Sequence, residues 1–147
     1  MSAKKILIVD DMPVNLSILS TFLTHYHFDV LVAQTGEIAL KLAETKYPDL
    51  ILLDVMMPNM DGFETCQQLK ANANTQDIPV IFMTVLSDTI NKVKGFEVGA
   101  VDYIIKPFEP AEVLARIKVH LNLRYLQQQV KRKMCDVWCV MCDVWCV

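Results

Sequence analysis

The stretch that decides the fold is PDLILLD, residues 48–54, in which four apolar residues in a row end in the carboxylate of Asp54. A short uninterrupted apolar run is typical of a β-strand buried on both faces, as in a parallel sheet. Asp54 then lies where the strand leaves the sheet, and ligands of open α/β sheets bind at that edge. Pro58 and Gly62 mark a turn before the next helix. The stretch therefore predicts a parallel sheet with a carboxylate at its carboxyl edge.

Further segments have the same short apolar character, and they alternate with helical patterns. Strands are predicted at 5–9, 30–33, 79–84 and 101–105. Helices are predicted to begin at Pro13, at Thr35-Gly36, behind the capping pair Asp61 and Glu64, at Ser87 or Asp88, and at Pro110. Such alternation implies parallel strands joined by right-handed crossovers. The predicted fold class is α/β, a five-stranded doubly wound parallel sheet in the order 2-1-3-4-5 of the flavodoxin-like template.

Composition bounds the class of function. The chain has 147 residues, which suits one domain, and its net charge of −3 gives no support for nucleic-acid binding. The apolar run before Asp10 is too short for a secretion signal, and no run approaches the roughly 18 residues of a membrane span. We therefore expect a cytoplasmic protein without a membrane partner. The three histidines, at positions 25, 27 and 120, have no ligand spacing and are expected at the surface.

Polar groups follow the predicted strands: Asp10, Asp11, Asp54, Thr84 and Lys106. Because the carboxyl ends of parallel strands share one edge, these groups are expected in one shallow pocket. Three close carboxylates repel one another, and a divalent cation that prefers oxygen ligands, Mg²⁺, removes that repulsion. The cation and Lys106 would neutralise the oxygens of a transferring phosphoryl group, and Thr84 could donate a hydrogen bond to one of them. Since a carboxylate can form an acyl phosphate, Asp54 is the predicted phosphoryl acceptor.

Over about residues 4–125 the chain resembles a receiver domain of two-component response regulators. The matching motifs are Asp10-Asp11 after the first strand, Asp54 in LLDVMMPNMDG, Thr84 after PVIFM, and Lys106-Pro107-Phe108. The resemblance implies a signalling switch in which a histidine kinase or phosphotransfer protein passes a phosphoryl group from phosphohistidine to Asp54. It implies that the chain is not an enzyme beyond catalysing its own phosphorylation and dephosphorylation.

The same resemblance implies a role for each carboxylate of the pocket. Mg²⁺ would be bound by Asp11, by Asp54, by the backbone carbonyl of Met56, and by Asp10 through water.

An alternative function keeps the fold but not the chemistry: a phosphorylation-independent protein interaction module. A hydrolase that turns over an acyl phosphate is a third class, although no residue beyond the metal cluster is evident to activate water.

The resemblance also implies a switch. Lys106 would pair with the phosphoryl group, and the Lys106–Pro107 bond would be cis. Thr84 and Tyr103 resemble the family's switch pair, in which the threonine moves toward the phosphate and the tyrosine ring turns inward. That motion would repack the face made by helix 4, strand 5 and helix 5.

Three positions near the acceptor depart from the family's pattern or tune its chemistry. Val85 stands where a small residue usually follows the switch threonine, and its β-branched side chain could crowd the mouth of the phosphate site. Met56 and Leu86 occupy positions that tune dephosphorylation in the family, and both are apolar here. Since neither can orient an attacking water, slow intrinsic dephosphorylation is expected.

The last helix is predicted to run past the end of a compact receiver. Residues 119–133 lack glycine and proline, and Leu123, Leu126 and Val130 fall at coiled-coil a/d spacing. We expect a receiver domain at 1–125 and a helical extension at 126–147, as in receivers that lead to an output domain. The chain then looks like a stand-alone regulator or an excised piece of a larger protein.

The extension ends in a duplication, because MCDVWCV at 134–140 recurs unchanged at 141–147. Seven residues is the heptad period, so the valines could continue the a/d spacing and support a homodimer through the extension. The face of helix 4, strand 5 and helix 5 is the other expected dimer surface. The residues of the repeat are poor helix formers, which argues against a helical tail. The four cysteines of the tail would line one helix face, which is a poor geometry for a tetrahedral metal site. The unvaried repeat also suggests a cloning or reading-frame artefact.

Overall fold

The computed structural model describes residues 3–85 and 89–141, and for 89–92 and 135–141 it describes the backbone alone. The strands are β1 (Lys5–Val9), β2 (Asp29–Ala33), β3 (Leu50–Asp54), β4 (Val80–Thr84) and β5 (Asp102–Ile105). The helices are α1 (Pro13–His25), α2 (Gly36–Lys46), α3 (Gly62–Ala71), α4 (Thr89–Glu97) and α5 (Pro110–Met141). Neighbouring strands pair in parallel, in the order β2-β1-β3-β4-β5. The predicted fold class and the extended C-terminal helix are confirmed.

The strand register brings the carboxyl ends of the central strands level. Leu53 of β3 pairs with Val9 of β1 on one side and with Phe82 of β4 on the other. The next residues along β1 and β3 are Asp10 and Asp54, so both carboxylates reach the same edge of the sheet. The register therefore fixes the position of the acidic pocket.

Alternate residues of each strand face opposite sides of the sheet and bury two cores. Leu7 and Ile51 face the side covered by α2 and α3, whereas Ile8 and Leu52 face α1 and α5. Full burial of one such side chain contributes about 1.5–3 kcal/mol. Every residue of β3 is buried, as its unbroken apolar run predicted.

Two predicted helix starts are present with their caps. The Thr35 hydroxyl accepts a hydrogen bond from the Ile38 N–H at 3.2 Å, and the Asp61 carboxylate accepts one from the Glu64 N–H at 2.8 Å. Each cap satisfies a backbone donor that the first turn of a helix leaves free. The predicted caps of α4, at positions 87 and 88, lie outside the described residues.

Helix α5 packs on the sheet and then continues beyond it. Val113 and Ile117 are fully buried, and one Arg124 Nη donates to the backbone oxygen of Asp49 at 2.8 Å. The helical backbone continues to Met141 and includes the first copy of the heptad, although its residues are poor helix formers. The predicted boundary between residues 125 and 126 falls inside α5 and stays a prediction. None of the described helices is both long and apolar enough to cross a membrane.

Gly62, the first residue of α3, approaches the strand that carries the acceptor. Its N–H donates to the Val55 oxygen at 2.9 Å, and a Cβ built on Gly62 would meet the Asp54 carbonyl oxygen and lie 2.8 Å from Val55 Cα. These obstacles are backbone atoms, which cannot rotate away. Only glycine therefore allows α3 to begin this close to β3.

We expect Gly62→Ala to lower the free energy of unfolding by about 1–3 kcal/mol, because the added methyl overpacks the β3–α3 connection. Urea denaturation measures the change. Gln67→Ala, at an exposed position of the same helix, is the matched control and should stay within about 0.5 kcal/mol of the parent. Equal midpoints for the two variants would contradict the close-approach account.

Candidate functional site

Three carboxylates meet at the carboxyl edge of the sheet. Asp10, Asp11 and Asp54 each offer an oxygen, and these oxygens lie within 4.8 Å of one another. Asp10 and Asp54 are buried and Asp11 is exposed. The structure thus brings together all three predicted metal-ligating side chains.

The ammonium of Lys106 lies between two of these carboxylates. Its Nζ is 2.9 Å from Asp10 Oδ2 and 3.2 Å from Asp54 Oδ1. Lys106 follows β5 directly, and its N–H donates to the Thr84 backbone oxygen at 2.7 Å. The Lys106–Pro107 peptide bond is cis, as the resemblance implies.

Local hydrogen bonds hold the two buried carboxylates in different ways. Asp10 accepts from the Met12 N–H at 2.9 Å and from the Asn15 side-chain amide at 3.1 Å, in addition to Lys106. Asp54 Oδ1 accepts from the Met56 N–H at 3.3 Å. Sequence reasoning missed Asn15, whose only signal is its place in the first turn after the acidic pair.

Burial and crowding shift the proton affinities of the site. Burial, with a further contribution from the Asp10 charge, raises the pKa of Asp54 to about 6, although Lys106 acts in the opposite direction. Burial alone would lower the pKa of Lys106, but the Asp10 hydrogen bond and the two carboxylate charges outweigh it and raise that pKa. Lys106 therefore stays charged, while the pocket still holds more negative than positive charge.

Thr84 and Tyr103 lie on neighbouring strands beside this pocket. Thr84 is buried at the end of β4, and Tyr103 is half-buried on β5. Both line one narrow cavity together with Phe82 and Phe96, and the rings of Phe96 and Tyr103 are 6.0 Å apart. The predicted switch pair thus shares a space, as a coupled motion requires.

The other predicted positions are less enclosed. Val85 and Met56 are 60% and 59% exposed, so both side chains lie on the surface around the acceptor. Leu86 lies outside the described residues.

A polar cluster that the sequence did not predict joins β5 to α5. Asp102 Oδ2 accepts from an Arg116 Nη at 2.7 Å and lies 3.0 Å from His120 Nε2. Burial acts to raise the pKa of Asp102, but the hydrogen bonds of His120 and Arg116 outweigh it and lower that pKa. The prediction that His120 is a surface residue was wrong, since its side chain is 14% exposed. The i, i+4 spacing of Arg116 and His120 on one helix face was the available signal.

Comparison with known proteins identifies the family. Residues 6–118 match the model of the response regulator receiver domain. The alkaline phosphatase synthesis transcriptional regulatory protein PhoP of Bacillus subtilis is 47% identical over 119 residues, which make up 81% of this chain and 49% of PhoP. A probable transcriptional regulator ycf27 of Cyanidium caldarium is 49% identical over 131 residues, or 89% of this chain and 51% of that protein. The chain spans about half the length of these curated relatives.

Solved structures of receiver domains have the same fold as this chain. A CheY-like receiver domain protein from Methanospirillum hungatei matches with a TM-score of 0.81 and 29% identity, covering 86% of this chain and 99% of that one. The receiver domain of a sensor histidine kinase from Pseudomonas aeruginosa matches with a TM-score of 0.76 and 28% identity over 82% of this chain and 98% of its own. That structure has a magnesium ion coordinated in its active site cleft. This chain belongs to the response regulator receiver domains of two-component signal transduction.

Proposed function

We propose that this chain is a phosphoacceptor switch in which Asp54 takes a phosphoryl group from the phosphohistidine of a histidine kinase or phosphotransfer protein. The observation that carries the proposal is the environment of Asp54. Its buried carboxylate is 3.2 Å from the Lys106 ammonium, and the carboxylates of Asp10 and Asp11 lie beside it. Buried acidic groups that share one cation contribute little to stability and are typical of a functional site, here one for phosphoryl transfer.

The transfer forms one bond and breaks another. An Asp54 oxygen bonds to phosphorus as the phosphorus–nitrogen bond of phosphohistidine breaks, and the bonding electrons leave with the imidazole nitrogen. The product is an acyl phosphate on Asp54. Lys106, whose pKa is raised, remains protonated and offsets charge on the phosphoryl oxygens.

The residues present fit Mg²⁺, because three clustered carboxylates supply hard oxygen ligands and an excess of negative charge. Asp11, Asp54 and the Met56 carbonyl would bind the ion directly. The oxygens of Asp10 already accept the hydrogen bonds described above, so its contact would run through water. When bound, Mg²⁺ supplies positive charge beside the phosphoryl oxygens.

The output is proposed to run through Thr84 and Tyr103. Thr84 would turn toward the phosphoryl group, and the Tyr103 ring would move into the cavity that both residues line. Because Tyr103 now packs against Phe96 of α4, its motion would change the surface made by α4, β5 and α5. Partner or dimer contacts on that surface would follow the phosphorylation state.

The chain is proposed to act as a regulator and not as an enzyme on other substrates. The expectation that it binds no nucleic acid rests on the charge of this chain alone. Its relatives PhoP and ycf27 are named as transcriptional regulators and are about twice as long. A DNA-directed output of a longer protein is compatible with a receiver of this kind.

Phosphorylation is expected at one position. Incubation with Mg²⁺ and acetyl phosphate should add the mass of one phosphoryl group to the intact chain, and EDTA should abolish the gain. Asp54→Asn should gain nothing, whereas Asp77→Asn, in an exposed loop, should behave as the parent does. Because Val85 could hinder small donors, beryllofluoride binding is the second measurement. A parent chain that responds to neither reagent would favour the phosphorylation-independent module.

The raised pKa of Asp54 makes stability depend on pH. The folded chain keeps this proton up to pH about 6, whereas the unfolded carboxyl releases it near 3.8, so stability falls as pH rises through that window. At pH 8 in EDTA, Asp54→Asn should therefore be more stable than the parent, by on the order of 3 kcal/mol. The difference should vanish below pH 4, and Mg²⁺ should stabilise the parent alone. Urea titrations test this, and a difference that is independent of pH, or equally present in Asp77→Asn, would contradict it.

Slow loss of the phosphoryl group is expected because Met56 and Leu86 cannot orient water. The half-life of phosphorylated Asp54 in the isolated chain should far exceed a few seconds, as followed by intact mass after donor removal. Met56→Asn should shorten it, since an amide beside the acceptor can position a water. Met134→Asn, at an exposed and distant methionine, is the matched control. A half-life of seconds in the parent would rule the expectation out.

A further inference from the structure

Two lysines of this chain have opposite environments. Burial would lower the pKa of Lys106, but its contacts with two carboxylates outweigh burial and raise that pKa. Lys70, in the last turn of α3, contacts neutral groups instead. Its Nζ donates to the backbone oxygens of Gln76 at 2.9 Å and of Ile78 at 2.8 Å. None of the ion pairs formed by the described residues involves Lys70, and the mechanism proposed above does not use it.

The side chain of Lys70 is held along its length. Gly99, in the connection between α4 and β5, lies against the aliphatic stem, since a Cβ built on Gly99 would be 3.0 Å from Lys70 Cγ and 3.3 Å from its Cε. Lys70 therefore joins α3, the loop that precedes β4 and the connection that precedes β5. Its Nζ lies at the amino end of β4, whereas Asp54 and Lys106 lie at the carboxyl edge of the sheet. The amine is thus separate from the acceptor site.

The surroundings of Lys70 favour an uncharged amine. Burial lowers its pKa, because an ammonium loses hydration there. The charges of Cys66 and Asp77 act in the opposite direction, and that of Arg124 adds to the lowering. The effect of Cys66 requires a thiolate, but burial raises the pKa of this thiol to about 11, so Cys66 is uncharged at neutral pH. A larger fraction of Lys70 than of an exposed lysine is therefore free amine.

The two hydrogen bonds suit that uncharged form. A neutral amine carries two N–H groups, and Gln76 and Ile78 supply one acceptor for each. The lone pair is then left for reaction with an electrophile. We propose that Lys70 is an acylation site that reacts with small acyl phosphates such as acetyl phosphate. Because Lys70 is only half-buried, a reagent of this size can reach it.

The reaction exchanges one bond for another. The Nζ of Lys70 bonds to the acyl carbon as the bond between that carbon and the phosphate oxygen breaks, and the electron pair leaves with inorganic phosphate. The amine proton passes to solvent, and no oxidant or further reagent is needed. Attack on phosphorus by Asp54 and attack on carbon by Lys70 are then two fates of one donor. The second fate does not depend on the first.

Acylation would change the contacts that hold the start of β4. The product amide has a single N–H, so it can donate to only one of the two carbonyls, and the positive charge is lost. Both carbonyls belong to the loop that leads into β4, whose last residue is Thr84. Acylation should therefore loosen the α3–β4 connection and destabilise the chain.

Peptide mapping by mass spectrometry tests the proposal on the full chain after incubation with acetyl phosphate. Near neutral pH, acetyl occupancy at Lys70 should exceed that at Lys41, an exposed lysine of α2, by at least about threefold. As pH is raised, the rate at Lys70 should level off at a lower pH than the rate at Lys41. Asp54→Asn should be acetylated at Lys70 to the same extent as the parent.

A stability measurement tests the consequence. Lys70→Gln, which keeps an uncharged amide donor as the acylated side chain does, should lower the urea midpoint by about 0.5 M. Lys41→Gln is the matched control and should leave the midpoint unchanged.

Preferential acetylation of Lys41, or coincident pH profiles for the two lysines, would overturn the acylation site. Equal urea midpoints for Lys70→Gln and Lys41→Gln would overturn its link to the α3–β4 connection. Because Asp54→Asn reports on Lys70 without the phosphoryl acceptor, failure of phosphorylation at Asp54 would be a separate result.

Discussion

Two buried carboxylates share one ammonium: Asp10 and Asp54 both contact Lys106, at 2.9 and 3.2 Å. Taking a charged group out of water costs several kcal/mol, which an ion pair offsets only when its geometry is good. Two carboxylates, Asp10 and Asp54, are buried in the pocket, and Lys106 is the single cation that contacts them both. Burial, with a smaller contribution from the Asp10 charge, raises the pKa of Asp54. The excess of negative charge makes the site receptive to a further positive charge. A pocket built for stability alone would have apolar residues here.

The rest of the fold keeps these groups in place. The register of β1 and β3 sets the two carboxylates at the same level, and β5 brings the lysine across from the far side of β4. Gly62 lets α3 start against the backbone of the acceptor strand, so the loop that carries Met56 is held at both ends. Two cores of large aliphatic side chains, one on each face of the sheet, supply the free energy that offsets the charged edge.

The strands and the acidic pocket could be predicted because they depend on short-range signals. An apolar run that ends in a carboxylate, such as the one before Asp54, specifies both a buried strand and a group at its edge. Helix faces were harder to predict. Ile18 and Ile38 continue their apolar stripes in the sequence, yet each is 47% exposed because a helix touches the sheet along a narrow line. The i, i+4 spacing of Arg116 and His120 indicates only that they share a helix face, and their contact with Asp102 depends on how α5 crosses β5. The helical backbone after Lys133 likewise overrides weak propensities.

The cluster of Asp102, Arg116 and His120 has a mechanical consequence. Asp102 immediately precedes Tyr103, and its contacts with Arg116 and His120 hold β5 and α5 together next to the ring that is proposed to move. From Arg124, where α5 leaves the body, to Met141 the helix rises about 26 Å. On a rod of that length, a tilt of about five degrees at the base displaces the tip by about 2 Å. If the proposed motion of Tyr103 tilts α5, the extension would act as a lever arm that converts a small rearrangement beside the sheet into a larger displacement of its far end.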